Sequence, residues 1–174
     1  MVKEENRKMQ IDFSNRLNQL EQRSRNRNLE IVGLKKPSPS ESDSGMTIQF
    51  LNDVVKANIN SDEIDVLHEV PSKRRDKKRI IIANFKWRSR RDEILELCKG
   101  TLRAYNEALD PEERVYINEQ LSPDNKRLLS MGVRQRHELG YKFAWSKGGN
   151  IFMRKDDQSP VHKIIWDADF EKVL

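Results

Sequence analysis

The sequence predicts an α+β fold in three parts: an N-terminal helix over residues 1–27, a split β-α-β domain over 28–121, and a small helix-hairpin domain over 122–174. Residues 1–27 contain neither glycine nor proline, which is typical of an uninterrupted helix. The middle segment switches between strand and helix periodicity, and the last segment joins a capped helix to an alternating aromatic strand. A chain of 174 residues is long enough for one ordinary domain, or for a small domain with attachments.

The N-terminal helix carries a short apolar stripe. Phe13, Leu17 and Leu20 fall on alternating d and a positions of a heptad, while polar residues occupy the other positions of the same seam. Two turns of seam do not hold a coiled coil together unaided. The segment is therefore either the stub of a longer helix that forms dimers or trimers, or an amphipathic helix that docks on the domain.

The middle segment has the element order β-α-β-β-α-β. Strands are predicted over 29–34, 64–70, 79–87 and 114–121. A first helix follows Thr47 as its cap and runs to about residue 58, and a second begins at a capping box formed by Ser89 and Asp92. This order is that of the RNA-recognition motif (RRM): an antiparallel four-stranded sheet has two helices on one face and leaves the other face open.

The C-terminal segment opens with Ser122 as a helix cap and proline at the first helical position, and Gly140 ends that helix. Aromatic residues then alternate up to a Gly-Gly turn at 148–149, and the chain returns over 151–154. This pattern predicts a β-hairpin. A third strand over 161–165 and a short helix over 167–174 complete the domain.

The positive charge is concentrated in one block. Residues 73–103 carry twelve basic and four acidic side chains, whereas residues 28–72 carry three basic and eight acidic ones. We expect such a block to bind the phosphates of a polyanion, although a solvated basic turn would have the same composition. The arginines of this block that we predict to contact nucleic acid are Arg74, Arg75, Arg79, Arg88, Arg90 and Arg91.

Catalytic and metal-binding patterns are absent from the sequence. The three histidines lack metal-ligand spacing, and no glycine-rich phosphate loop or nucleophile elbow occurs. We therefore expect a binding protein without enzymatic activity, cofactor or metal. No run approaches about 18 apolar residues, so we expect no membrane association. A single cysteine and the lack of an apolar leader favour the cytoplasm or the nucleus.

The sheet lacks the usual base-stacking residues of an RNA-recognition motif. Aromatic residues are expected at four positions that instead hold Glu30, Lys78, Ile80 and Ile82. Stacking would then come from Trp87, Tyr141 or Trp145, and affinity would come mainly from cations. That predicts little sequence preference and a steep dependence on salt.

Five ordered pieces of the chain resemble a known family. They are RNRNLEIVGL at 25–34, LHEVP at 67–71, RIIIANF at 79–85, VYINEQLSP at 115–123, and YKFAW with the following GNIFMRK at 141–155. In this order they resemble the C-terminal domain of the baculovirus few-polyhedra (FP) protein. The same domain is found in the first-open-reading-frame proteins of insect LINE-type (non-LTR) retrotransposons.

The resemblance implies a coiled coil that oligomerises, and two domains that hold single-stranded RNA or DNA as a nucleic-acid chaperone. The matching positions are Arg25, Arg27, Arg79 and Arg154, and Arg134 on the C-terminal helix completes our candidate set. Glu69 departs from the family pattern, which has arginine there. The alternative is a coiled-coil protein-interaction module without a nucleic-acid ligand. RNA and DNA both remain open, as do an active element, a domesticated copy and a fragment.

Overall fold

The computed structural model describes residues 2–71 and 78–172. It contains four α-helices in the described residues: α1 (Val2–Arg25), α2 (Asp43–Asp53), α3 (Arg88–Glu107) and α4 (Pro123–Leu139). Its described strands are β1 (Asn28–Val32), β2 (Ile64–Glu69), β3 (Ile80–Phe85), β4 (Tyr116–Glu119), β5 (Phe143–Lys147), β6 (Asn150–Arg154) and β7 (His162–Ile164). Two short 3-10 helices cover Ser61–Glu63 and Asp167–Lys172.

The chain forms two compact units. Residues 27–120 make one, which we call the central unit, and residues 1–26 and 121–174 make the other, which we call the terminal unit. The prediction of a mixed α+β fold is confirmed. Helix α1 belongs to the same unit as the C-terminal segment, an association that the linear order of the sequence does not reveal.

The central unit is a four-stranded sheet in the order β2-β3-β1-β4, with every neighbouring pair antiparallel. Alternate residues of the strands, such as Ile31, Ala83 and Phe85, are fully buried with Ile94 of α3 and Leu51 of α2. This is the sheet order of the RRM-like fold, and the predicted topology is confirmed. Burial raises the pKa of the Cys98 thiol on α3 to about 12, so this cysteine is a core residue.

The opposite face of this sheet, which we call the open face, carries mainly amide, carboxylate and aliphatic side chains. Asn84 donates to Asn28, and Asn28 donates to Gln120 at 2.6 Å, so side-chain amides connect β3, β1 and the end of β4. In the next row Glu30 lies opposite Ile82. Tyr116 is the exposed aromatic residue of this face, and Lys78 lies over its ring.

Both helices of the central unit begin away from their predicted caps. Helix α2 is capped by Ser42, whose hydroxyl accepts a hydrogen bond from the Gly45 N–H. Thr47 is completely buried inside the helix, so its prediction as a cap is wrong. Helix α3 begins after Trp87, without a side-chain cap, so the predicted capping box at Ser89 is also wrong.

The terminal unit packs α4 on a three-stranded antiparallel sheet in the order β5-β6-β7. The predicted cap of α4 is confirmed, because the Ser122 hydroxyl accepts from the Asn125 N–H. Gly140 ends the helix at φ 68°, a left-handed conformation that glycine adopts without strain. The hairpin turn at Gly148 and Gly149 has φ of 59° and 79°, as the Gly-Gly pair predicts.

Helix α1 docks on this unit through its polar face. The Gln22 carboxamide accepts from the Ser122 N–H at 2.8 Å, and Asn18 donates to Asn125 at 2.9 Å. A Cβ added at Gly149 would lie 2.6 Å from the Gln22 side chain, so the helix passes close to the hairpin turn. The predicted stripe of Phe13, Leu17 and Leu20 lies on the other side of α1 and is exposed.

Candidate nucleic-acid interface

Arg79, the arginine at the start of β3, is bound by the protein's own carboxylates. Its guanidinium donates from Nε to Glu69 at 2.8 Å, and also to Asp43 and to the Lys35 carbonyl oxygen. Burial alone would lower the pKa of Arg79, but the hydrogen bonds to Asp43 and Glu69 outweigh it and raise that pKa. Its side chain is 9% exposed. The structure therefore gives Arg79 a role in connecting β2, β3 and α2.

Glu69 explains why that arginine is occupied. The resemblance described from the sequence implies arginine at this position, and a carboxylate in its place would repel phosphate. In the structure Glu69 instead neutralises Arg79, with side-chain atoms 2.8 Å apart. Glu69, the residue that departs from the resemblance, is therefore also the residue that pairs with Arg79.

Arg90 and Arg91 of α3 are also held within the central unit. Arg90 donates to Glu63 at 2.6 Å and to the carbonyl oxygens of Ala57 and Asn58. Burial opposes ionisation of Glu63, but hydrogen bonds from Arg90 and the Asn60 N–H outweigh it and lower the pKa of that carboxyl.

Arg91 is the most buried cation among the described residues. Its side chain is 1% exposed and pairs with Glu119 of β4 at 3.1 Å. A buried arginine paired in this way holds α3 against the sheet, and its removal leaves an uncompensated carboxylate. Arg91 is therefore not accessible to a ligand phosphate.

The remaining candidates are scattered. Arg25 pairs with Glu21 at 2.6 Å one helical turn earlier. Arg154 donates to the Ser159 and Asp157 carbonyl oxygens and closes the loop after β6. Arg134 is exposed on α4. Arg74 and Arg75 lie outside the described residues.

One short surface brings exposed cations and an exposed aromatic ring together. Arg27 lies just before β1, and its guanidinium contacts the Lys86 carbonyl oxygen at 3.3 Å. Trp87 follows and is 57% exposed, and Arg88 opens α3 with a half-exposed side chain. We call Arg27, Lys86, Trp87 and Arg88 the Trp87 surface.

The charges of the Trp87 surface are weakly compensated. Arg88 lies 3.5 Å from Asp92, and both side chains are about half exposed, a geometry worth little in water. Lys86 has no carboxylate partner among residues 2–71 and 78–172. The first turn of α3 contains no acidic residue, although the N-terminus of a helix favours negative charge. The surface can therefore accept an anion without breaking a buried ion pair.

The sequence predicts three of the four residues of the Trp87 surface. Arg27 and Arg88 belong to the predicted set, and Trp87 was a predicted stacking residue. Lys86 was not in that set. The sequence feature that could have identified Lys86 is the triplet Lys-Trp-Arg at 86–88, a basic-aromatic-basic pattern directly after a strand.

The other predicted stacking residues lie in the terminal unit. Tyr141 is partly buried and packs against the core of α4 and the sheet, so it is a structural residue. Trp145 lies on β5 and stacks on Phe152, with ring centroids 5.6 Å apart. Trp145 is thus paired with another ring, not with the core.

The fold defines the chain as an RRM-like α+β protein with a small C-terminal α+β segment. Within it, residues 122–174 match the family model described as Baculovirus FP protein domain 2. The predicted resemblance to the FP protein is therefore confirmed over that segment. A search of curated proteins returns no match. In the part of the chain that the structure describes, no helix is long and apolar enough to cross a membrane.

Proposed function

We propose that this protein binds single-stranded RNA or DNA without catalysing a reaction, and that the Trp87 surface is its contact in the central unit. The observation that carries the proposal is the exposed Trp87 ring next to cations that lack strong internal partners. The FP segment supports an origin in a retrotransposon or a virus-derived gene. Such a binder would act as a chaperone of nucleic-acid strands in the cytoplasm or nucleus.

The chemistry of the Trp87 surface suits a flexible strand. Lysine and arginine contact phosphates irrespective of sequence, while an exposed indole stacks on any unpaired base. Base pairing would hide the bases from Trp87, so a single strand fits better than a duplex. Three phosphate contacts on single-stranded nucleic acid predict a slope of log affinity against log salt of about −2.

Fluorescence anisotropy with a labelled single-stranded oligonucleotide tests this proposal on the full chain. We expect the double variant Lys86→Ala/Arg88→Ala to reduce the salt slope by about 1.4, because two phosphate contacts are lost. We expect Trp87→Leu to weaken binding about tenfold and to leave the slope unchanged.

The matched control is Lys99→Ala/Arg103→Ala, which removes the same charge from exposed residues further along α3, away from the Trp87 surface. Equal losses of affinity and salt slope in the two double variants would show that only net charge matters, and would contradict a defined binding site. Absence of binding by the natural chain at low salt would refute nucleic-acid binding altogether.

A second function, self-association, is favoured by the exposed stripe of α1. Met9, Phe13, Leu17 and Leu20 are each more than half exposed. The opposite, polar side of the same helix docks on the terminal unit through Asn18 and Gln22. A helix that buries its polar face and exposes its apolar one leaves a surface that a second helix would cover. We propose that this stripe forms a coiled coil with other copies.

Sedimentation equilibrium tests the stripe directly. We expect Phe13→Ser/Leu17→Ser to lower the mass of the natural chain's oligomer to that of the monomer. Asp12→Ser/Gln19→Ser changes two exposed residues off the stripe and is expected to leave the mass unchanged. A natural chain that is monomeric at all accessible concentrations would exclude this function.

A further inference from the structure

We propose that the solvent-facing side of the terminal sheet is a second nucleic-acid site, which stacks unpaired bases on Phe143, Trp145 and Phe152. This inference rests on the proposed function and deepens it, because it assigns base stacking in the C-terminal segment to one face of its sheet and to three particular rings. We call this side of β5-β6-β7 the aromatic face. It would supply the base stacking that the open face of the central sheet lacks.

Strand register places the aromatic residues together. Phe143 lies opposite Arg154, Trp145 opposite Phe152, and Phe152 opposite Lys163 on the third strand. Side chains of a strand alternate between the two faces, so these residues share one side. The other side carries Ile151, Met153 and Ile164, which are buried in the core of the unit.

The rings of the aromatic face pack on one another outside that core. Trp145 stacks on Phe152 with an interplanar angle of 27° and 5.6 Å between centroids. Phe143 meets Trp145 edge to face at 6.5 Å. All three side chains are partly exposed. Each therefore offers ring surface to solvent, although the core of the unit is complete without it.

Charge on this face identifies the class of ligand. The in-register positions that share the face with the three rings hold Lys147, Asn150, Arg154 and Lys163. None of these positions, all of which the structure describes, holds an acidic residue. Lys147 and Lys163 are exposed, and neither has a carboxylate partner among the described residues.

Two nearby carboxylates belong to the loop after β6 and are already engaged. Asp157 accepts from Lys142, whose ammonium lies 5.1 Å from the centre of the Phe143 ring. Asp156 accepts from the N–H groups of Gln158 and Ser159. Rings flanked by free lysines suit bases joined by phosphates, whereas an apolar peptide would have no use for those cations. The complementary ligand is therefore a single-stranded nucleic acid.

The test compares two oligonucleotides of equal length, one with bases and one abasic, on the full chain. Phosphate contacts are common to both, so their affinity ratio reports stacking. We expect the natural chain to prefer the base-bearing strand about tenfold or more. The variant Trp145→Leu/Phe152→Leu should lower this ratio several-fold and keep the salt slope unchanged.

Trp166→Leu is the matched control, because it removes an exposed indole of the same unit that does not lie on the aromatic face. It should retain the full ratio. Circular dichroism and the thermal midpoint establish that each variant folds.

A second measurement is independent of the folding of the double-leucine variant. In Trp87→Phe/Trp166→Phe the only tryptophan is Trp145, and we expect its fluorescence to be quenched by the base-bearing strand and not by the abasic one. Unquenched fluorescence, or an unchanged ratio in the double-leucine variant, would overturn the inference. Loss of binding to both strands by the natural chain would instead refute the proposed function.

Discussion

At the scale of single residues, the arginines differ in what already neutralises them. Arg79, Arg90 and Arg91 each donate to carboxylates of the central unit, and their side chains are mostly buried. Arg27 and Arg88 have weaker partners and remain accessible. A free cation can exchange water for phosphate at little cost, whereas a buried one must first abandon its internal pair. Under the proposed function, the accessible arginines would contact the ligand, whereas the buried ones stabilise the central unit.

Arg79→Ala is expected to lower the free energy of unfolding by about 2 kcal/mol, because two buried charge-assisted hydrogen bonds are lost. Urea denaturation followed by circular dichroism measures this change. The salt slope of nucleic-acid binding should stay within error of the natural value.

Arg103→Ala is the control for Arg79→Ala. Its ion pair with Glu107 is exposed, so its removal should change stability by less than about 0.5 kcal/mol. A stable Arg79→Ala variant with a reduced salt slope would return Arg79 to the binding site and contradict the assignment above.

At the scale of elements, the sequence predicts features that depend on neighbouring residues and misses those that depend on tertiary contacts. The caps of α4 and the Gly-Gly turn depend on residues within a few positions, so Ser122, Gly140 and the turn at 148–149 were identified from the sequence alone. Helix α2 was misjudged because Ser42 and Thr47 are both good caps by residue type. Thr47 is completely buried, which no local pattern shows, and the helix begins after Ser42.

The residues of the candidate site were likewise predictable only where the prediction did not depend on tertiary contacts. Sequence identified the basic block and Trp87, because charge and residue type are visible in it. It could not tell which arginines meet carboxylates, since Arg79 pairs with Asp43 from a distant part of the chain. The docked face of α1 was equally hidden, because Asn18 and Gln22 resemble ordinary exposed residues until Ser122 and Asn125 lie against them.

The 3-10 helix Asp167–Lys172 depends on one carboxylate and therefore on pH. Asp169 accepts from the N–H groups of Ile165 and Trp166, and from Lys172 at 2.7 Å. Burial opposes its ionisation, but these hydrogen bonds outweigh it and lower the pKa of Asp169. A lowered pKa stabilises the folded state above the unfolded value of about 3.9, and that contribution is lost as the pH falls below it.

We expect Asp169→Asn to reduce the free energy of unfolding by about 1 to 2 kcal/mol at pH 7, and by clearly less at pH 2.5. Urea unfolding in a Trp87→Phe background, where the tryptophan fluorescence comes from Trp145 and Trp166 of the terminal unit, measures both values. Asp167→Asn, whose side chain is exposed, serves as the control at each pH. An equal effect of Asp169→Asn at the two pH values would show that the charge of Asp169 is not what stabilises the helix.

At the scale of the whole molecule, the two oppositely charged stretches of the sequence neutralise each other in part. Residues 28–72 are rich in acids and residues 73–103 in bases. In the folded central unit, Asp43, Glu63 and Glu69 of the first stretch pair with Arg79 and Arg90 of the second. These pairs neutralise part of the basic stretch and leave the rest of it unevenly charged. The net charge of +5 does not show this uneven distribution of positive charge.

This balance predicts that a single carboxylate limits affinity. Glu69→Gln keeps an acceptor for Arg79 but removes one of its two negative charges, so the guanidinium would gain potential for phosphate. We expect stronger binding of single-stranded oligonucleotides at low salt and a salt slope steeper by about 0.7, which corresponds to one further phosphate contact. Glu96→Gln makes the same change in net charge on the exposed side of α3, beside Lys99. Both variants have the same overall charge. An equal gain in affinity in the two variants would therefore indicate a general effect of net charge and refute local release of Arg79. A gain confined to Glu69→Gln would show that the ion pair between Glu69 and Arg79 withholds a cation from the ligand.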